Sequence, residues 1–160
     1  MAGPALNRAC FLGIITPMRV VGVDWGEARI GLAVSDETGT IASPYKVIPN
    51  DERAAAAVVN AASVIGAEEI VVGYPLTLTG EEGPAAERVQ GFARELQRRV
   101  SVPIKMVDER FTTKAAEEKL RAAGASRRKL KKSADAAAAA LILQTYLDVS
   151  KRTPANGRAD

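Results

Sequence analysis

Short apolar runs broken by glycine, proline and charge dominate the first half of the chain, and longer runs with helical spacing dominate the second. Val20, Val21 and Val23 form a first strand, and Ile30, Leu32, Ala33 and Val34 a second. The turn DWGEAR, built on Gly26, joins them, so Arg19 to Asp36 reads as a β-hairpin. Gly39 turns the chain again, and Thr40 to Ile48 is extended, with Pro44 marking an edge or a bulge. An alanine-rich helix follows, with Asn50 or Asp51 as its cap, and ends at Gly66. EIVVG (69–73) has the continuous apolar centre of a strand buried in a parallel sheet. YPLTLTGEEG (74–83) is a loop, and Pro84 opens a helix with Ala85, Val89, Phe92 and Leu96 on one stripe. Ile104 to Val107 is the last strand. Thr112 or Thr113 caps a helix carrying Ala116, Leu120 and Ala123, closed by Gly124. Ser133 caps the final helix, which runs to about Val149. The order βββαβαβαα predicts one α/β domain with a mixed five-stranded sheet, three antiparallel strands extended by parallel ones, and helices on both faces.

Composition narrows the chemistry. A chain of 160 residues, 47% hydrophobic, can bury the core of one domain. Residues 1–18 read as a disordered extension, with Met18 as the simpler start, 19–149 as the folded domain and 150–160 as a flexible tail. There is no histidine, which excludes Ser-His and Cys-His nucleophile pairs and histidine-based zinc sites. Cys10 is the single cysteine, so no disulfide forms within the chain, and a reducing cytoplasm is the expected setting. No apolar run approaches the roughly 20 residues of a membrane span. The net charge of +3 is too small to argue for nucleic acid unless the charge is clustered.

It is clustered. Between Lys119 and Lys132 there are seven bases and no acid: Lys119, Arg121, Arg127, Arg128, Lys129, Lys131 and Lys132. The segment is either a solvated loop or a grip on a phosphate backbone. Three acids stand where charge is unusual. Asp24 ends the first strand on the face of Val20 and Gly22, with Gly22 and Gly26 clearing space beside it; it also suits a tight turn. Asp108 and Glu109 end the last strand and point to opposite faces, so only one can meet Asp24; either can instead pair with Arg110. Asp135 lies in the first turn of the last helix, on the stripe Asp135, Ala138, Ala139, Ile142 and Tyr146, where it also compensates the helix dipole. Carboxylates brought together repel unless a cation joins them. Oxygen ligands without histidine or cysteine select Mg²⁺ or Mn²⁺. Two such ions about 4 Å apart activate water and stabilise the leaving oxygen in phosphodiester hydrolysis.

Four segments in this order, GVDWGEARIGLAVSD, VVGYPLTLTGEEGPAAERVQGFARELQ, VDERFTTKAAEEKL and KKSADAAAAALILQTYLD, resemble the YqgF/RuvX family of RNase H-like nucleases. The resemblance spans Arg19 to Asp148. It implies an RNase H-like fold and a metal-dependent endonuclease with Asp24, Glu109 and Asp135 as catalytic and metal-binding residues. It also implies maturation of the 5′ end of pre-16S ribosomal RNA or cleavage of Holliday junctions. On that reading Arg29, Arg127, Arg128, Lys129, Lys131 and Lys132 contact the nucleic acid, and paired cutting of a four-way junction requires a homodimer. Two departures stand out. Leu78-Thr79-Gly80 replaces a stretch that often holds an acid, which Glu81 or Glu82 would have to supply, and Tyr74 replaces a smaller aliphatic residue. Two other functions remain open on the residues alone. One is a non-catalytic nucleic-acid-binding module, the other an actin-like ATP-binding domain suggested by Gly22-x-Asp24-x-Gly26.

Overall fold

The computed structural model describes residues 18–76, 79–112, 114–122 and 134–152. The strands are β1 (Val20–Trp25), β2 (Arg29–Ser35), β3 (Ala42–Pro49), β4 (Glu69–Tyr74) and β5 (Ile104–Asp108). The helices are α1 (Ala54–Ile65), α2 (Pro84–Arg99), α3 (Lys114–Ala122) and α4 (Ala134–Arg152), with a single 3₁₀ turn at Glu109–Phe111. The strands form one five-stranded sheet in the order β3-β2-β1-β4-β5. The first three pair antiparallel, and β4 and β5 extend the sheet parallel to β1. The expected mixed sheet is therefore present. Residues 1–17 and 153–160, Thr113, Ala123, Gly124 and Ser133 lie outside the described residues, as do the terminal extensions and helix ends expected there. No helix among the described residues is long and apolar enough to cross a membrane.

Two cores follow from the pleat. Val21, Val23, Ile30, Leu32, Ile70 and Val72 face α1 and α2, where Val58, Val89, Phe92 and Leu96 close the layer. Val20, Ala33, Ala42 and Val71 face the other way, against Leu120 of α3 and Ala139, Ala140, Leu143 and Leu147 of α4. A central strand covered on both faces has no solvent side, which is why β1 and β4 read as nearly unbroken apolar runs. Pro44 sits on edge strand β3 beside a register shift opposite Leu32 and Ala33, as its missing N–H requires.

Local details differ from the sequence pattern for physical reasons. Asn50 does not cap α1; its Nδ2 donates to the Gly26 carbonyl at 2.6 Å and so fastens the β1–β2 turn. Asp51 accepts from the Arg53 N–H at 2.9 Å, and the helix starts later, at Ala54. In α2 the buried stripe begins at Ala86 rather than Ala85. In α4 Ala139 and Ile142 of the expected stripe are buried, but the most buried line, Ala136, Ala139, Ala140, Leu143 and Leu147, is rotated from it. Asp135 and Tyr146 border that line, half-buried.

Glycine sets this roll. A methyl on Gly31 would lie 1.9 Å from the Asp135 carbonyl oxygen, and one on Gly22 would lie 2.8 Å from Leu143 Cβ. The helix thus rests on the sheet backbone itself. Gly22 serves this contact rather than clearing space for Asp24. The buried Gln144 fixes the far end of α4: its Oε1 accepts from the Ala42 N–H and its Nε2 donates to the Thr40 carbonyl, both at 3.0 Å. Asp148 accepts from Gln144 Nε2 at 3.1 Å and pairs with Lys119 at 2.7 Å, which ties α3 to α4.

Because the Gly31 clash is with backbone, it cannot be relieved by a rotamer change. Gly31→Ala is expected to cost about 1–3 kcal/mol or more, measured as a lower urea midpoint with an unchanged slope.

Candidate active site

The site is built across three strands. Asp24 is the register partner of Gly31 on β2. On its other side Val23 pairs with Val72, so Gly73 of β4 is the next neighbour. A carboxylate therefore stands between two strand positions with no side chain. Each gap is filled by one of the other two acids. The Asp135 backbone lies over Gly31. The Glu109 carboxylate lies over Gly73, where a methyl would come within 2.8 Å of its Oε1. The Glu109 carboxylate and the Asp135 backbone thus lie on either side of Asp24 at the C-terminal end of the parallel strands, where open α/β sheets bind ligands, and the charges of both acids act on Asp24. Asp108 does not join them. Its carboxylate takes Arg110 with both oxygens, Nε to Oδ1 at 3.1 Å and Nη2 to Oδ2 at 2.7 Å, and accepts from the Arg110 N–H at 2.9 Å. This caps the 3₁₀ turn, which Glu109 opens, and it is from that turn that the Glu109 side chain reaches Gly73 beside Asp24.

The charges are unevenly relieved. Asp24 is pushed up from its ordinary 3.8 to about 7, first by burial, then by the charge of Glu109, then by that of Asp135. Burial also raises Glu109, with the nearby Asp108 charge adding to it. The Arg110 hydrogen bonds hold Asp108 below the usual range. Asp135 is met by Arg29, whose Nε lies 3.2 Å from Oδ2. Among the described residues no three acidic side chains form a ready-made metal cage.

The other predicted residues divide. Arg29 is present at the site, engaged with Asp135. Arg127, Arg128, Lys129, Lys131 and Lys132 lie outside the described residues. In the loop after β4, Leu78 is likewise outside. Glu82 pairs with Leu76 across the loop base and hydrogen-bonds Gln90 at 3.3 Å, so it is committed to α2 and does not supply a fourth acid. Tyr74 points to the same side, its hydroxyl accepting from Gln90 Nε2 at 2.6 Å, and does not line the acid site. Gly80, at φ +84°, lies against the Arg110 guanidinium. The sequence reading missed Gly31 and Gly73. Glycine inside an apolar strand was the available signal, since it marks a close approach by another segment.

Comparison with known proteins shows the family and the fold. Residues 18–149 match the family model described as "RuvX: Holliday junction resolvase". A protein of Chloroflexus aurantiacus named "Putative pre-16S rRNA nuclease" is 44% identical over 137 residues, covering 84% of this chain and 90% of that one. A protein of Maridesulfovibrio salexigens with the same name is 43% identical over 133 residues, covering 81% and 98%. The fold is similar to that of Thermus thermophilus RuvC solved with a Holliday junction substrate, at TM-score 0.57 and 18% identity, covering 84% of this chain and 96% of that one. The chain belongs to the RuvX family.

Proposed function

We propose that this chain is a metal-dependent endonuclease that hydrolyses phosphodiester bonds in structured nucleic acid, with a precursor of 16S ribosomal RNA as its substrate. The observation that carries the reading is the placement of Glu109 and Asp135 over the two glycines flanking Asp24. Three carboxylates at one sheet end repel a phosphate backbone as they repel each other, so the site needs a cation to receive one. The donor set fits a hard divalent ion: all oxygen, no sulfur or imidazole. Asp24 is raised first by burial and then by the charges of Glu109 and Asp135, and a cation bound among them would offset those two charges. Asp24, Glu109 and Asp135 would hold Mg²⁺ or Mn²⁺, which would activate the attacking water and offset charge on the phosphate.

The chain's own residues do the rest. Asp24, rigid on a central strand, fixes where the reacting phosphate sits. Glu109 and Asp135 flank that position from the 3₁₀ turn after β5 and from α4. Arg29 lies at the rim, with its side chain 68% exposed and within reach of a phosphate. The basic run 127–132 precedes α4 directly in sequence and is the proposed grip on the strand leading to the site. The names of the curated relatives favour the ribosomal precursor. The family description favours a four-way DNA junction as the second reading, which would need two copies of the chain for paired cuts.

Cleavage of a labelled precursor RNA and a labelled four-way junction, each with Mg²⁺, Mn²⁺ or EDTA, tests the proposal. Cutting of one substrate is expected with metal and not with EDTA. Asp24→Asn is expected to lower that rate at least about a hundredfold while substrate binding persists. Equal cutting by the variant would remove Asp24 from the mechanism, and binding without cutting under every metal would leave a non-catalytic module.

A second expectation concerns stability without metal. Asp24 titrates near 7 in the folded chain and near 3.8 when unfolded, so the folded state holds the extra proton between those values. Stability of the metal-free protein then falls as pH rises through that window. Asp24→Asn should unfold at higher temperature than wild type above about pH 7, and the gain should vanish below pH 3.8. Calorimetry in EDTA across the range checks the sign.

A further inference from the structure

We propose that Arg29 is a built-in counter-ion of the site: it holds the Asp135 carboxylate while no divalent cation is bound, and releases it on cation binding to take a phosphate of the substrate backbone. The inference rests on the reading of Asp24, Glu109 and Asp135 as the cation ligands.

Three observations carry it. First, the backbones of the pair are fixed together. Arg29 opens β2, Asp135 lies in the first turn of α4, and Gly31, two residues on from Arg29, is where that turn touches the sheet. Any movement is therefore in the side chains. Second, the contact is built to break. It is a single approach, Nε to Oδ2 at 3.2 Å, with side chains 68% and 38% exposed. An exposed, one-pronged pair contributes little to stability, and the Nη groups remain available for a phosphate. The other arginine at the site contrasts with it. Arg110 grips Asp108 with both its Nε and its Nη2, and its backbone N–H binds the same carboxylate. That pair is a strut; Arg29–Asp135 is a latch. Third, charge must be conserved through the exchange. A cation arriving among the three acids makes Asp135 a shared ligand and repels the neighbouring guanidinium. The nearest compensating negative charge is then the phosphate backbone that the same cation attracts.

The two roles predict opposite effects of one substitution. Arg29→Gln is expected to bind Mn²⁺ about two- to fivefold more tightly than wild type, because a competing cation is gone. The gain should disappear in an Asp135→Asn background, since the competition runs through that carboxylate. The same variant should bind a labelled precursor RNA about two- to fivefold more weakly with Ca²⁺ present and with unchanged affinity in EDTA, where wild-type Arg29 is still latched. Free Mn²⁺ measured by electron paramagnetic resonance and RNA binding by fluorescence anisotropy provide the readouts. Arg29→Lys controls for charge, and thermal melting of each variant for folding. Mn²⁺ affinity that Arg29→Gln leaves unchanged, or RNA binding weakened equally in Ca²⁺ and EDTA, overturns the latch alone. Failure of the wild-type chain to take up Mn²⁺ overturns the metal reading and the latch with it.

Discussion

The close contact of α4 with the sheet backbone is the constraint on which the rest of the structure depends. Helices usually rest on sheets through side chains. Here the first turn of α4 meets β2 at Gly31 and a later turn meets β1 at Gly22. The helix can come this near because its facing positions are largely alanine, Ala136, Ala139 and Ala140. Close packing of this kind tolerates little extra volume. It also puts the start of α4 within reach of a strand end, which no loop-borne acid would reach with the same precision of placement.

That geometry creates an electrostatic cost at one end of an otherwise apolar sheet. The free protein relieves it by separate local means: a raised proton affinity at Asp24, Arg29 on Asp135 and Arg110 on Asp108. None of these is a packing interaction, and two of them involve groups that solvent can reach. The core therefore contributes stability while the site spends some of it, a familiar division between a rigid scaffold and a destabilised functional centre. The Asp108–Arg110 strut marks the boundary. Its carboxylate belongs to the scaffold, although it is the immediate neighbour of Glu109.

Much of this was legible in the residues. The valine runs and the glycine and proline breaks located every strand, because a strand buried on both faces leaves a continuous apolar signature. That only one of Asp108 and Glu109 can lie beside Asp24 was legible, but the strand ends at Asp108, and it is the 3₁₀ turn that separates the two. What the sequence concealed were contacts made by distant segments. Gly31 is explained only by Asp135, about a hundred residues later, and Gly73 only by Glu109 and Ile142. Asn50 carried a helix-capping signal, yet a nearby free carbonyl at Gly26 took its side chain. The stripe on α4 was misplaced for the same reason: its periodicity fixes a face only to within a residue, and the glycines beneath decide the roll. The altered loop raised the question of a missing acid, and Glu82 is not that acid, because it pairs with Gln90 of α2.

Gln144 acquires a further meaning in this light. It is sealed from solvent, and its amide meets a donor and an acceptor of the chain entering β3. Turning α4 about its axis by one residue, roughly 100°, would strand all of those groups without water to replace them. The amide therefore indexes the helix like a key in a shaft. Asp135 lies nine positions upstream, about 13 Å along the axis. Its azimuth over the strand ends is set in part by a polar contact that never approaches the chemistry.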